Sequence, residues 1–174
     1  VPSSFILEQL GDDESSGDSL FLATKIPQKA DNKLLVAPTP ITTNIIAKNT
    51  TLIGGAFTAE DALSNVELSN ESTWSMTVSS NLTGLVNKAS SIYFSAPLSN
   101  NYKTLTVNNY VGVNGLIKLN TRLGDDSSPS DLLIINGGSA TGSTRLLINN
   151  VLGEGALTQG KGILVVDAIN NGTT

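Results

Sequence analysis

The sequence predicts an all-β fold, and three observations lead to this prediction. The 174-residue chain is 39% hydrophobic but only 14% charged and 5% aromatic, and it is rich in Gly, Asn, Ser and Thr. Short apolar segments recur from about residue 51 and are separated by Gly, Asn, Ser and Asp. Several segments alternate apolar and polar residues with a period of two, which is typical of half-buried strands. The pattern favours many short strands and tight turns over long helices.

The apolar segments give the positions of the predicted strands. These are 51–57, 65–70, 73–78, 90–94, 103–107, 115–120, 131–136, 144–149 and 162–168. Trp74, Met76 and Val78 alternate with polar residues, so we expect all three side chains to point inwards.

A subset of these apolar residues is expected to fill the core. The candidates are Trp74, Leu105, Val107, Ile117, Leu119, Leu133, Ile135, Leu146, Ile148 and Val165. Tyr102 and Tyr110 lie beside turns and Asp125 lies in a polar loop, so these three are the candidate contact residues for a partner.

Two all-β architectures remain open, a parallel β-helix and an antiparallel β-sandwich. The β-helix is favoured because asparagines close several strands, at Asn120, Asn136 and Asn149. At the corners of a coil, Asn and Gly tolerate left-handed backbone angles, and stacked asparagines can pair their amides. Each coil of a β-helix buries its apolar stripe against the coils on either side.

The chain divides into two regions that differ in composition and in the spacing of their apolar segments. Residues 1–50 contain the acidic run GDDESSGD at 11–18, which reads as a solvated loop, and prolines that include Pro27, Pro38 and Pro40. Proline removes a ladder donor, so 1–50 is predicted to be an irregular coil or cap. Residues 51–174 are predicted to form the β-helical region. The start at Val1, without a signal-peptide pattern, suggests an excised or processed fragment.

Composition excludes several classes of function. The net charge of −5 leaves no basic stripe for nucleic acid and disfavours anionic lipid headgroups. No apolar run approaches membrane-spanning length, so direct membrane insertion is not expected. The chain has no Cys and no His, which removes catalytic triads with His and His-ligated zinc. We therefore predict no enzyme activity, no catalytic residue, no metal site and no cofactor.

The C-terminal part resembles the end of the passenger domain in pertactin-like and AIDA-like autotransporters of Gram-negative bacteria. The resemblance is strongest over 104–173. It rests on NYVGVNG at 109–115, SPSDLLIINGGSATG at 128–142, LLINN at 146–150 and GALTQGKGILVV at 155–166. The segment VELSNESTWSMTVSSNLTGL at 66–85 extends it, whereas residues 1–50 match nothing as clearly.

The resemblance implies a fold, a role and a setting. The fold would be a right-handed parallel β-helix, and the chain would be the autochaperone or junction region of a passenger. It would fold first and template the upstream passenger coils of a virulence factor or adhesin. Its partners would be those coils and the translocator barrel of the same precursor, at the bacterial cell surface or after release by cleavage. The alternative is a binding module that contacts a host protein or self-associates between cells.

Overall fold

The computed structural model of the protein describes residues 39–174 in full and the backbone of residues 3–8. The strands are β1 Ser3–Glu8, β2 Ile41–Lys48, β3 Thr51–Gly54, β4 Ala62–Ser69, β5 Thr73–Met76, β6 Ser80–Lys88, β7 Ser91–Phe94, β8 Thr104–Thr121, β9 Leu132–Asn136, β10 Ala140–Asn150 and β11 Val166–Ile169. Within these ranges the regular secondary structure is entirely strand. No helix there is long and apolar enough to cross a membrane.

The strands stack in two parallel rows that wind around one core. Long strands follow the order β1-β2-β4-β6-β8, and short strands follow the order β3-β5-β7-β8. Strand β8 belongs to both rows because it is 18 residues long, and its first half pairs with β6 while its second half pairs with β7. All pairings between the named strands are parallel. The architecture is therefore a parallel β-helix, and the antiparallel sandwich is wrong.

The last coil contains two strands, β9 and β10, and both pair with β8. Strand β9 pairs with the start of β8, and β10 pairs with the remainder of β8 as far as Thr121. Strand β11 then pairs with β9. Among the described strands, β10 has a partner on one side only.

Inward side chains form continuous stacks because the rungs are in register. The three longest stacks are Ile45, Val66, Leu85, Tyr110 and Ala140; Ala47, Leu68, Asn87, Gly112 and Gly142; and Leu52, Trp74, Ile92, Ile117 and Leu146. Each inward side chain therefore rests on its equivalents in the rungs before and after it, and burial is nearly complete in the middle of each stack.

The corners between long and short strands require left-handed backbone angles. Asn49, Asn70 and Asn114 take positive φ values of 48°, 55° and 55°, as expected for asparagine. Ala89 takes φ 45° at the corresponding corner of the third coil. Hydrogen bonds hold the corners together, since Asn49 N donates to Ser69 O and Ala89 N donates to Val113 O.

The asparagines that close strands pair their amides, as the sequence predicted. Asn149 Nδ2 donates to Asn120 Oδ1 at 2.9 Å, and Asn170 Nδ2 donates to Asn136 Oδ1 at 2.8 Å. Of these four asparagines only Asn170 takes a positive φ, of 51°, so Asn120, Asn136 and Asn149 pair their amides without the left-handed backbone angle that was predicted for corner residues.

Several predicted boundaries need correction. Strand β2 lies inside 1–50, so the stacked strands begin before residue 51. Strand β6 was not predicted, because a bend at Thr83 and Gly84 interrupts its apolar alternation. Val78 is 44% exposed, since β5 ends before it. The acidic run at 11–18 lies outside the described residues.

The stacks predict how the cost of a core truncation changes along one stack. Ile117 is 0% exposed, and its register partner Leu146 is 38% exposed. Ile117→Ala should lower the free energy of unfolding by about 2–5 kcal/mol. Leu146→Ala should cost clearly less, because nothing in the described chain stacks beyond it. Urea unfolding of both variants checks this, and equal losses would contradict the open end of the stack.

Candidate functional site

The core of the C-terminal coils is the main candidate site for a folding role. Most of the predicted core residues lie in it and are at most 4% exposed, namely Trp74, Leu105, Val107, Ile117, Leu119, Leu133 and Ile135. Trp74 also uses its polar atom, since its indole nitrogen donates to Gly54 O at 3.1 Å. This placement gives these residues a core position, whereas their part in the order of folding stays a prediction.

Three predicted core residues lie at the margin of the core. Leu146 and Ile148 are each 38% exposed, although they stack on Ile117 and Leu119. Their exposure follows from the position of β10 at the end of the stack. Val165 is partly buried and packs against the core cluster. The prediction of full core positions is wrong for Leu146 and Ile148.

Tyr110 is a core residue, so the prediction that it contacts a partner is wrong. Its ring is 4% exposed and stacks on Leu85, and its hydroxyl hydrogen-bonds the Thr144 hydroxyl at 2.8 Å. Burial raises the pKa of the Tyr110 phenol, and the hydrogen bond with Thr144 offsets a part of this effect. The flanking Asn108 and Asn109 are corner residues, which made the segment resemble a surface turn.

The other two candidate contact residues differ in exposure. Tyr102 is half-buried, and its hydroxyl has no hydrogen-bond partner within the described part of the chain. Asp125 is exposed and accepts hydrogen bonds from the hydroxyl and backbone N–H of Ser127, at 2.7 Å and 3.0 Å. These two bonds lower the pKa of Asp125. A partner could reach Asp125 more readily than Tyr102.

A buried polar cluster centres on Asp131, which is 0% exposed. One carboxylate oxygen accepts from Lys103 N at 2.7 Å, and the other accepts from Asn120 N at 2.8 Å. Asp131 directly precedes β9, so this cluster lies at the entry of that strand. The cluster joins positions 28 and 11 residues away from Asp131 in the sequence.

Asn120 and Lys103 extend the cluster to the backbone at the end of β7. Asn120 Nδ2 donates to Asp131 Oδ2 at 2.7 Å and to Phe94 O at 3.0 Å. Lys103 is 8% exposed, and its ammonium group donates to Ser95 O at 2.7 Å. A charged or amide donor thus satisfies each carbonyl named here, which allows polar atoms to be buried between the coils.

A second carboxylate, Asp126, binds the backbone of residues 159–162, and we call this contact the Asp126 clip. It accepts backbone hydrogen bonds from Gln159 N at 2.7 Å, Gly160 N at 3.0 Å and Gly162 N at 2.6 Å. The bond from Gln159, followed by that from Gly162, lowers the pKa of Asp126. No residue pattern predicts this contact, because backbone N–H groups more than 30 residues away supply the donors.

The described chain contains polar clusters but no evident constellation for chemistry. Among residues 39–174 no group of three or more His, Cys, Asp or Glu side chains is placed to hold a metal ion. The buried carboxylate of Asp131 is surrounded by structural hydrogen-bond donors. The arrangement around Asp131 can therefore cross-link coils.

The comparisons with known proteins agree with this structural role. Residues 80–174 match the family described as Autochaperone Domain Type 1. Three Escherichia coli (strain K12) proteins are similar over part of the chain. They are the probable autotransporter YfaL, 34% identical over 130 residues (70% of this chain, 10% of the relative), and the uncharacterized proteins YdeU, 47% over 55 residues (31% and 12%), and YuaQ, 50% over 50 residues (29% and 4%). The chain thus spans about a tenth or less of the length of these relatives.

The Asp131 cluster gives a prediction for stability. Asp131→Ala leaves buried N–H groups of Lys103 and Asn120 without their acceptor, so the free energy of unfolding should fall by about 3 kcal/mol or more. Chemical denaturation measures this loss. Asp125→Ala is the matched control, because Asp125 is exposed, and its unfolding midpoint should stay close to that of the wild type. A small effect of Asp131→Ala would show that the cluster is dispensable.

The Asp126 clip predicts a pH dependence of the loop. Its pKa is lowered from 3.8, so the clip stabilises the loop above that value and is lost as the pH falls through the lower, folded-state pKa. In NMR titrations the amide protons of Gln159, Gly160 and Gly162 should shift together, with a midpoint below 3.8. Asp126→Asn should remove this titration. A midpoint at or above the ordinary value would contradict the geometry.

Proposed function

The chain belongs to the family of type 1 autochaperone domains, and from this premise we propose that its C-terminal coils fold first and template the coils before them. The proposed role is structural and non-enzymatic. Residues 80–174, which carry the family match, contain β6 to β11. They include the best-buried part of the core and the polar cluster around Asp131.

The observation that carries the proposal is the unbroken register from β8 back to β2. Val66 pairs with Leu85, and Leu85 pairs with Tyr110, so each rung presents an inward residue at every position that the next rung must fill. A parallel strand also presents a row of backbone N–H and C=O groups along its edge. A folded rung therefore offers the next strand both a row of backbone hydrogen-bonding groups and a matching set of inward side chains.

The short-strand row shows where a further upstream strand could be added. Strand β3 pairs with β5 and has no partner on its other edge among the described strands. Leu52 on this strand is buried, while Ile53 next to it is 38% exposed. An upstream coil would extend this row by pairing with β3, as β3 itself extends the row from β5.

We propose the autotransporter setting for the whole protein. YfaL, which is named a probable autotransporter, is similar to 70% of this chain. The partners would be the upstream passenger coils and the translocator of the same precursor. The proposed location is the bacterial cell surface, or the exterior after cleavage, and the precursor would be an adhesin or another virulence factor.

A second candidate function is binding to a host protein or to a neighbouring cell. The exposed apolar side chains of Leu152 and Leu157, which are 88% and 78% exposed, favour it. They lie in the segment that the Asp126 clip fastens to the last coils. Asp125, exposed beside Asp126, would belong to the same contact surface.

Folding order in the precursor tests the proposed function. We expect a fragment that contains residues 80–174 to become resistant to protease before the upstream coils do. The double variant Leu105→Ala, Ile117→Ala removes side chains that are 0% exposed, and each change costs about 2–5 kcal/mol. It should therefore reduce the amount of protease-resistant upstream passenger at the cell surface several-fold.

The control variant changes the outward neighbours on the same strand, as Thr106→Ala with Lys118→Ala, and should leave display unchanged. Upstream coils that become resistant first would overturn the proposal. Asp125→Ala with Leu157→Ala tests the second candidate, because it should reduce binding to host cells while display stays normal.

A further inference from the structure

Asn87 is a polar residue in the middle of an apolar stack. It is 0% exposed and lies between its register partners Leu68 and Gly112. Neighbouring inward positions on β6 hold Leu82 and Leu85, which are 2% and 1% exposed. An amide is costly at such a position unless its hydrogen bonds are complete.

The hydrogen bonds of Asn87 are incomplete. Its Nδ2 donates to Leu116 O at 3.2 Å, whereas its Oδ1 has no hydrogen-bond partner within the described residues. Burial raises the pKa of the Tyr110 phenol, and side-chain hydrogen bonds of this phenol to Thr144 and to Asn87 offset a part of the rise. A buried acceptor without a donor lowers stability. Stability alone therefore does not account for an asparagine at this position.

Glycines make room for these interior polar groups. A Cβ atom at Gly115 would lie 2.6 Å from both Cγ and Nδ2 of Asn87. A Cβ atom at Gly112 would overlap the Thr144 hydroxyl. Asn87 and Thr144 thus fit only where a glycine of β8 comes opposite or beside them.

The apolar pattern fixes this alignment only in part. A slip of two residues between β6 and β8 would still place Leu82 opposite the buried Leu105, although Leu85 would then lie opposite the exposed Asn108. After this slip Asn87 would face the buried Tyr110 instead of Gly112. The interior amide would then meet a large side chain where the native register supplies a glycine.

We propose that Asn87 sets the register of β8 on β6, and that Gly115, where an added Cβ would meet the Asn87 amide, is the position that recognises it. The proposal deepens the proposed function and rests on it, because each rung added later would copy the register of this pair. A buried asparagine that specifies register at a cost in stability is established for coiled coils.

Cysteine pairs can report the register directly, since the 174-residue chain contains no cysteine. Val86 and Val111 are outward register partners, so V86C with V111C reports the native alignment. V86C with N109C reports the slip of two residues that places Asn87 opposite Tyr110. Neighbouring strands lie about 4.8 Å apart, which a disulfide can bridge, whereas the slipped pair is too far apart in the native register.

The test variant is Asn87→Leu in the full chain, refolded and oxidised with each cysteine pair. We expect the slipped disulfide to increase about tenfold over its level with Asn87, which corresponds to about 1.4 kcal/mol of lost discrimination. The urea midpoint should stay equal to that of wild type or rise, because an unpaired buried acceptor has been removed. Unchanged slipped disulfide would overturn the proposal, as would a lower midpoint with native register.

Two further variants keep the test decisive. If leucine prevents folding beside Gly115, Asn87→Ala removes the amide without adding volume, and the same disulfides are scored. Asn65→Leu is the matched control, because Asn65 donates to Asn44 on the partly exposed side of the neighbouring strand. It should leave the register of β8 on β6 unchanged. These readouts use the chain alone, so templating in the precursor can fail while the register role holds, and the reverse.

Discussion

The structure depends on one constraint, the in-register parallel stacking of each strand on its equivalent in the next coil. Adjacent strands lie about 4.8 Å apart, so an inward residue touches mainly the residues at the same position on the neighbouring rungs. Burial then depends on having a neighbour on both sides. Ile117 has two such neighbours and is fully buried, whereas Leu146 in the same stack has one and is half-exposed. Coil stability is consequently a property of pairs of rungs.

Two kinds of interaction stabilise the stack, and they differ in whether they are directional. Apolar contacts supply most of the driving force, but they are non-directional and tolerate shifts that preserve the face of each residue. Hydrogen bonds from buried side chains are directional, and they join defined positions such as Lys103 with Asp131 and Asn120 with Asn149. Both of these bonds lie within the residues of the family match. The C-terminal coils thus combine a deep core with fixed alignment.

The sequence predicted the fold class and much of the core, and its failures share a physical cause. Clean alternation made both ends of β8 readable, because each stretch keeps one face inwards throughout, and β9 was readable as a short apolar run. Within β6 and within β8 two consecutive residues lie outside the core and break that period, so β6 was missed and Tyr110 was assigned to the surface. The Asp126 clip was not recognisable in the sequence, since backbone groups carry no residue-specific signal.

Loop-closure entropy gives a physical reason for the proposed folding order, in which directional contacts form first. The first pair of coils must close a loop before any stack exists, and the cost of closing it grows slowly with length. Asp131 hydrogen-bonds Asn120 across 11 residues and Lys103 across 28 residues. Its contacts can therefore stabilise the closing of both a short and a long loop. Each later coil closes one loop against a surface that is already ordered. A nucleus of β6 to β11 with cross-linked polar groups, whose upstream edges at β6 and β7 receive β4 and β5, would therefore allow growth from the C-terminal coils towards the N-terminal ones.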